Sequence, residues 1–219
     1  MANTTIPTEM MTGLHKNWLL PLILALMTCL TSALLMFSHE MTAERIATQK
    51  LNNKLASLKR LLPAALIDND LLEDAITIYE PERLGHRHEE QLYLGTMNHQ
   101  LSVMAIPVTA RNGYSGDIEI MVGIQVNGEI TAAEIIAHKE TPGLGDLIEG
   151  RKSNWLNQFE NKSLNQPTSQ QWLVKKDGGH FDQITAATIT PRAVVAAIKK
   201  ALKYQKYYLK QLQPENNNE

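Results

Sequence analysis

Between Trp18 and Phe37 the chain carries no charged residue, and its only polar side chains are Thr28, Thr31, Ser32 and the thiol of Cys29. At about 1.5 Å rise per residue, a helix of this length spans roughly 30 Å, the thickness of a bilayer's hydrocarbon core. No small-residue cleavage site follows, because Leu34 to Phe37 lead straight into Ser38, His39 and Glu40. The pattern predicts an uncleaved transmembrane anchor over residues 18–37. Lys16 flanks the span on its N-terminal side, which predicts a short cytoplasmic tail over residues 1–17 and the bulk of the chain outside the cytoplasm.

Past the anchor the period is helical. Ile46, Leu51, Leu55, Leu58, Leu61 and Leu62 recur at threes and fours among Arg45, Lys50, Lys54, Lys59 and Arg60, whose charges read as a solvated face. This predicts a helical stalk and lead-in over residues 38–75, broken at Pro63, with a second short helix near Leu66–Asp74. After residue 75 the period falls to two, and Ala75–Tyr79, Gln91–Leu94 and Ser102–Val108 read as strands. The segment 82–90 between the first two holds His86 and His88. Their spacing matches no metal site, so it reads as a solvated loop. Asn127-Gly128 between the alternating runs 117–126 and 129–138 is a strong hairpin signal. Residues 146–165 predict a short helix with Leu147, Ile148, Trp155, Leu156 and Phe159 inward. Thr190 as N-cap and Pro191 at the first helical position open a final helix to about Leu212, and residues 213–219 form a disordered tail. The fold class is α+β: one membrane helix, then one domain over residues 76–212 with an antiparallel sheet and flanking helices.

Charge and composition narrow the chemistry. Of 219 residues, 21 are Lys or Arg and 23 are Asp or Glu, a net charge of −2, which disfavours a nucleic-acid partner. A single cysteine excludes a disulfide framework and a cysteine metal cage. No nucleophile elbow, Walker loop, dinucleotide glycine fingerprint or zinc spacing is present, and no metal site is predicted. Two segments stand out. His138 to Gly145 delivers a carboxylate, a hydroxyl and bare backbone to the end of a strand. Thr185, Thr188 and Thr190 crowd a helix N-terminus, where unpaired N–H groups and a partial positive charge suit a phosphate. On residues alone, both segments also read as plain turns and caps.

Asp182-x-x-Thr185-x-Ala187-Thr188 resembles the flavinylation motif of the FMN-binding domain family, and Glu140-Thr141-Pro142-Gly143-Leu144-Gly145 resembles that family's second signature. With one anchor and this length, the chain is similar to the family of G subunits of the Rnf (Rsx) ion-translocating electron-transport complexes. The related C subunits of sodium-pumping NADH:quinone oxidoreductases are typically longer. The resemblance covers essentially the whole chain. It implies FMN attached through its phosphate to the Thr188 hydroxyl by a separate magnesium-dependent flavin transferase that uses FAD. It also implies a loop of Glu140, Thr141, Gly143, Leu144 and Gly145 lining the flavin, with Thr141 and Leu144 at the ring. Thr185, Ala186 and Ala187 would flank the attachment, and Lys175 or Lys176 would face a reduced flavin.

The implied setting is a single-pass protein of the bacterial inner membrane with its bulk in the periplasm. Its partners would be the other integral and peripheral subunits of a complex coupling electron flow between ferredoxin and NAD to cation movement, and it would have no turnover alone. The family usually has glycine where this chain has Ala186. If the position needs positive φ, alanine costs about 1 kcal/mol or more; if it needs only a small side chain, alanine is acceptable. Two other readings remain: a flavin-free scaffold of the same fold, and a tethered module for another phosphorylated ligand.

Overall fold

The computed structural model describes residues 12–212, so most of the predicted cytoplasmic tail and all of residues 213–219 lie outside the described residues. The chain divides into two compact units, residues 1–54 and 55–219. Among the described residues the first is helix alone. Helix α1 runs Thr12–Leu61 without a break, and within it Trp18–Ser38 has a mean hydropathy of 2.3 with its side chains exposed. That stretch is long and apolar enough to cross a membrane. The second unit opens inside the stretch read as stalk, with the last turns of α1.

Five strands form an antiparallel meander in chain order: β1 Ile76–Ile78, β2 Glu90–Met97, β3 Gln100–Ala110, β4 Ile118–Gln125 and β5 Ile130–Ala137. The final helix, α2, spans Ile189–Leu212. Side chains alternate across a pleated strand, and β3 buries both faces. Met104, Ile106 and Val108 join the main core under Val194, Ile198, Ala201 and Leu202 of α2. Val103 and Ala105 point the other way, into a second core with Leu58, Leu61 and Leu62 from the end of α1. A strand buried on both sides has no polar face, which is why 103–108 reads as a continuous apolar run. Pro107 is tolerated because β2 pairs only as far as Ala105, so its missing N–H faces no strand on that side.

The end of α1 is fastened to the sheet by polar contacts. The Thr131 hydroxyl donates to the Leu61 carbonyl, one of the unpaired acceptors at a helix C-terminus, and Ser57 Oγ donates to Glu134 Oε1 at 2.8 Å. Beneath this contact lies Gly123, where a Cβ would fall well inside contact distance of both Leu61 O and Thr131 Oγ1. Backbone cannot move aside as a side-chain tip can. Gly123→Ala is therefore expected to destabilise the second unit by about 1–3 kcal/mol. A urea midpoint equal to wild type would show that the helix end gives way freely.

Several local expectations are corrected. No second helix forms over 66–74, only a 3₁₀ turn at Ala64–Leu66 followed by turns. Asp70 accepts the Leu72 and Glu73 N–H groups on its side chain, as an N-cap does, and its carbonyl accepts Asp74 N–H at 3.1 Å, so the segment makes one capped turn and stops before β1. Residues 146–165 likewise yield two 3₁₀ segments, Gly145–Ile148 and Trp155–Phe159, because Ser153 Oγ bonds Leu147 O and receives Trp155 N–H between them. Segment 82–90 is not wholly solvated. His86 is fully buried, its Nδ1 accepting from Glu80 N–H at 3.2 Å and its Nε2–H donating to Pro107 O at 3.0 Å. The hairpin at Asn127-Gly128 forms, with positive φ at Gly128 alone and strands ending one residue further out on each side.

Candidate functional site

Strand β5 ends at Ala137 and delivers the 140–145 loop directly. Thr141's carbonyl accepts the N–H groups of Leu144 at 3.2 Å and Gly145 at 3.1 Å, curling the chain into the 3₁₀ turn that follows. Thr141, Gly143 and Leu144 are left exposed on the outside of this curl, while Glu140 points inward and is 4 % exposed. Its Oε1 accepts Ser115 N–H at 2.9 Å, and its Oε2 accepts the hydroxyl of Thr190. Gly145 packs against that joint so closely that a Cβ would stand 2.8 Å from Glu140 Oε2 and 3.2 Å from Thr190 Oγ1. One carboxylate thus joins the β3–β4 loop, the 140–145 loop and the start of α2.

The second segment turns just before α2. Asp182 is held by its backbone, its N–H on Gln158 Oε1 and its carbonyl on Trp155 Nε1–H, both at 2.7 Å. Ile184 is buried, and Ala187 N–H returns to Ile184 O at 3.1 Å to close a four-residue turn. Ala186 occupies its third position with φ +65°, the left-handed region. Backbone freedom is therefore what a glycine supplies here, and the chain forms the turn despite the alanine. Relief of left-handed strain outweighs the greater unfolded-state entropy of glycine, so Ala186→Gly is expected to stabilise the protein by about 0.5–1 kcal/mol. A lower urea midpoint in that variant would contradict this.

Helix α2 begins at Ile189, two residues earlier than its sequence signals suggest. Thr190 is not the cap: it is buried inside the first turn with its hydroxyl on Glu140, and Pro191 follows where a helical N–H still lacks an intrahelical partner. Thr188 takes the position immediately before the helix and is half-buried. Among the described residues no hydrogen bond engages its hydroxyl, nor that of exposed Thr185. The three threonines separate cleanly: one is consumed by the fold and two are free, with Thr188 at the helix N-terminus.

Sequence reasoning missed the charged cluster that braces the loop from behind. Lys152 Nζ lies 2.7 Å from both Asp146 Oδ2 and Glu149 Oε1, and His138 Nε2–H donates to Glu149 Oε1 at 3.0 Å. His138 Nδ1 in turn receives Glu140 N–H at 3.0 Å. Burial pushes the Glu149 carboxyl up, but hydrogen bonds from Lys152, Arg151 and His138 outweigh it and hold its pKa at about 2. Lys152 likewise holds Asp146 below its ordinary value against the opposing effect of burial. The Asp146-x-x-Glu149-x-x-Lys152 spacing directly after the glycine loop was the available signal.

Lys175 meets the second segment at its first residue. Its Nζ pairs with Asp182 Oδ1 at 2.6 Å, and the two line a polar cavity of about 340 Å³ with Gln158, Lys162, Gly179 and His180. Lys176 is exposed. Glu140, Gly145 and Thr190 are brought together, while Lys175 adjoins only the first residue of the second segment. A flavin phosphate fits these residues: a free hydroxyl stands at the N-terminus of a long helix, next in sequence to the exposed Ile189.

The family described as FMN-binding domain matches residues 113–203. A Vibrio cholerae protein, named as the G subunit of an ion-translocating oxidoreductase complex, is 39% identical over 208 residues, spanning 95% of this chain and 98% of its own. The protein of the same name from Pseudoalteromonas atlantica is 43% identical over 185 residues, 84% of this chain and 86% of its own. Among solved structures, Shewanella oneidensis NqrC matches 66% of this chain and 74% of its own at 19% identity, with a TM-score of 0.45.

Proposed function

This chain belongs to the family of G subunits of ion-translocating oxidoreductase complexes, and from that premise we propose that it carries FMN covalently on Thr188 and relays electrons within such a complex. Its FMN-binding domain covers residues 113–203, and one helix ahead of it is long and apolar enough to cross a membrane. The proposal places the domain in the periplasm and the other subunits of the complex around it. The observation that carries it is the free Thr188 hydroxyl at the start of α2, on a helix tied through Thr190 and Glu140 to the 140–145 loop.

A flavin transferase is the maturation partner. Transfer from FAD forms a bond between Thr188 Oγ1 and the FMN phosphorus and breaks the pyrophosphate bridge. AMP leaves, and the hydroxyl proton goes to a base on the transferase. The partial positive charge at the α2 N-terminus stabilises the anionic phosphodiester. Thr141 and Leu144, exposed on the curl of their loop, contact the ring. When bound, FMN supplies the group that accepts and returns electrons, while the protein sets its potential. A tether also prevents loss of a cofactor where resupply is difficult.

Peptide mass spectrometry on full-length protein made alongside a flavin transferase tests the reading. The FMN mass is expected on the fragment containing Thr188. Wild-type protein that never acquires covalent flavin would favour the flavin-free scaffold instead. Protease added to intact spheroplasts should digest the domain, and complete protection would overturn its periplasmic placement.

A further inference from the structure

Tyr114, Leu144 and Ile189 are 69%, 43% and 44% exposed, and they come from three separate segments. Each is next in sequence to a group seated on Glu140. Ser115 donates its N–H to Oε1, Gly145 lies against Oε2, and Thr190 donates its hydroxyl to Oε2. Consecutive Cα atoms are about 3.8 Å apart, so the backbones of three exposed apolar residues are anchored one residue away from contacts with a single buried carboxylate at the start of α2. Single exposed hydrophobics need no explanation, but a cluster assembled this way marks a binding surface. The β3–β4 loop is shaped for the purpose. Gly113 packs against Glu140 Oε1, where a Cβ would stand at 2.9 Å, and Gly116 has φ +134°. Tyr114 is the only large apolar side chain between Arg111 and Asp117.

Thr188, next to Ile189, fixes the occupant. A flavin ring tethered there by its ribityl phosphate has two apolar faces to cover, and the 140–145 loop supplies only part of a wall. We propose that Tyr114 is a further flavin-contacting residue, its phenol ring stacking on the isoalloxazine opposite Leu144 and Ile189. This rests on the attachment at Thr188. Offset stacking of two aromatic systems orients the ring as aliphatic contacts cannot.

The test uses full-length protein co-produced with a flavin transferase, with loading scored by flavin fluorescence of the denatured chain. A stacked phenol quenches excited flavin by reversible electron donation, which phenylalanine does not do. Tyr114→Phe is expected to raise native-state emission per covalent flavin about twofold or more, with loading unchanged, because it preserves the stacked geometry. Tyr114→Ala is expected to change the visible circular dichroism of the flavin. Either change supports the contact. Loaded protein in which neither variant alters its signal overturns it and leaves the attachment at Thr188 standing. Unchanged signals combined with loss of other subunits on purification also overturn it, assigning Tyr114 to a protein interface. Wild-type protein without covalent flavin overturns the proposed function, and Tyr114 with it.

Discussion

Thr188→Val is expected to leave the chain with no covalently bound FMN and an intact fold. Valine keeps the shape and β-branching of threonine, and Thr188 Oγ1 has no hydrogen-bond partner among the described residues, so folding loses little with it. What disappears is the unengaged hydroxyl immediately before the helix, the proposed ester oxygen. Thr188→Ser keeps that atom and should keep the flavin. Thr185→Val should lower loading without abolishing it. Thr190→Val separates chemistry from folding: its hydroxyl is buried on Glu140, so its loss should cost about 1–3 kcal/mol of stability. In-gel fluorescence of denatured protein and the mass of the Thr188 peptide read the first three; urea unfolding reads the last. Covalent flavin persisting in Thr188→Val would move the attachment elsewhere, with Thr185 the first candidate.

The parts of the fold legible in the sequence are those where one physical signal acts alone. An uncharged apolar stretch over 18–37 gives a helix long and apolar enough to cross a membrane, and alternation on either side of Asn127-Gly128 gives β4 and β5. Where side chains compete with the backbone for its own N–H groups, periodicity misleads. Ser153 splits a predicted helix into 3₁₀ pieces, while the turn that Asp70 caps goes no further before β1 begins at Ile76. The start of α2 was displaced for a related reason. Thr190-Pro191 is a good local start signal, but Thr190 serves a distant partner, and a bond across 50 residues leaves no local trace. The β2–β3 turn was hidden because it puts positive φ on Asn98 and His99, and histidine is not a residue that announces such a turn.

The site was legible as two segments but not as one place. Residue types marked the glycine-rich loop and the crowded threonines, and resemblance gave them a cofactor. Neither showed that the second residue set is locked to the first, nor which threonine remains free. Ala186 illustrates the limit well: only the backbone, with φ +65°, shows that the position calls for left-handed geometry and not merely for a small side chain. The brace of His138, Asp146, Glu149 and Lys152 meets predicted site residues only through their backbone: His138 Nδ1 receives Glu140 N–H, Asp146 N–H reaches Thr141 O at 3.4 Å, and the Gly143 backbone helps to hold the Asp146 carboxyl low.

Glu140→Ala should unlock the site without touching the attachment atom. Truncation removes both acceptors at once, leaving the Ser115 N–H and the Thr190 hydroxyl without the partner they now share. Unmet buried donors cost about 1–3 kcal/mol each, and partial hydration reduces the sum, so a loss of about 3 kcal/mol is expected. The negative charge near the α2 N-terminus goes as well, removing a further favourable interaction. Glu140→Gln distinguishes geometry from charge. Its carbonyl still accepts from Ser115, its amide donates to Thr190 Oγ1, and the hydroxyl simply reverses role, so the joint survives at a cost of about 1 kcal/mol. If Glu140 acts by holding the two segments in register, flavin loading falls steeply in the alanine variant and is largely retained in the glutamine variant. Urea midpoints and denatured-gel fluorescence measured on both variants decide the matter. Equal and severe loss of loading in both would mean the charge itself is needed, and wild-type loading with an unchanged midpoint in Glu140→Ala would remove the joint from the site altogether.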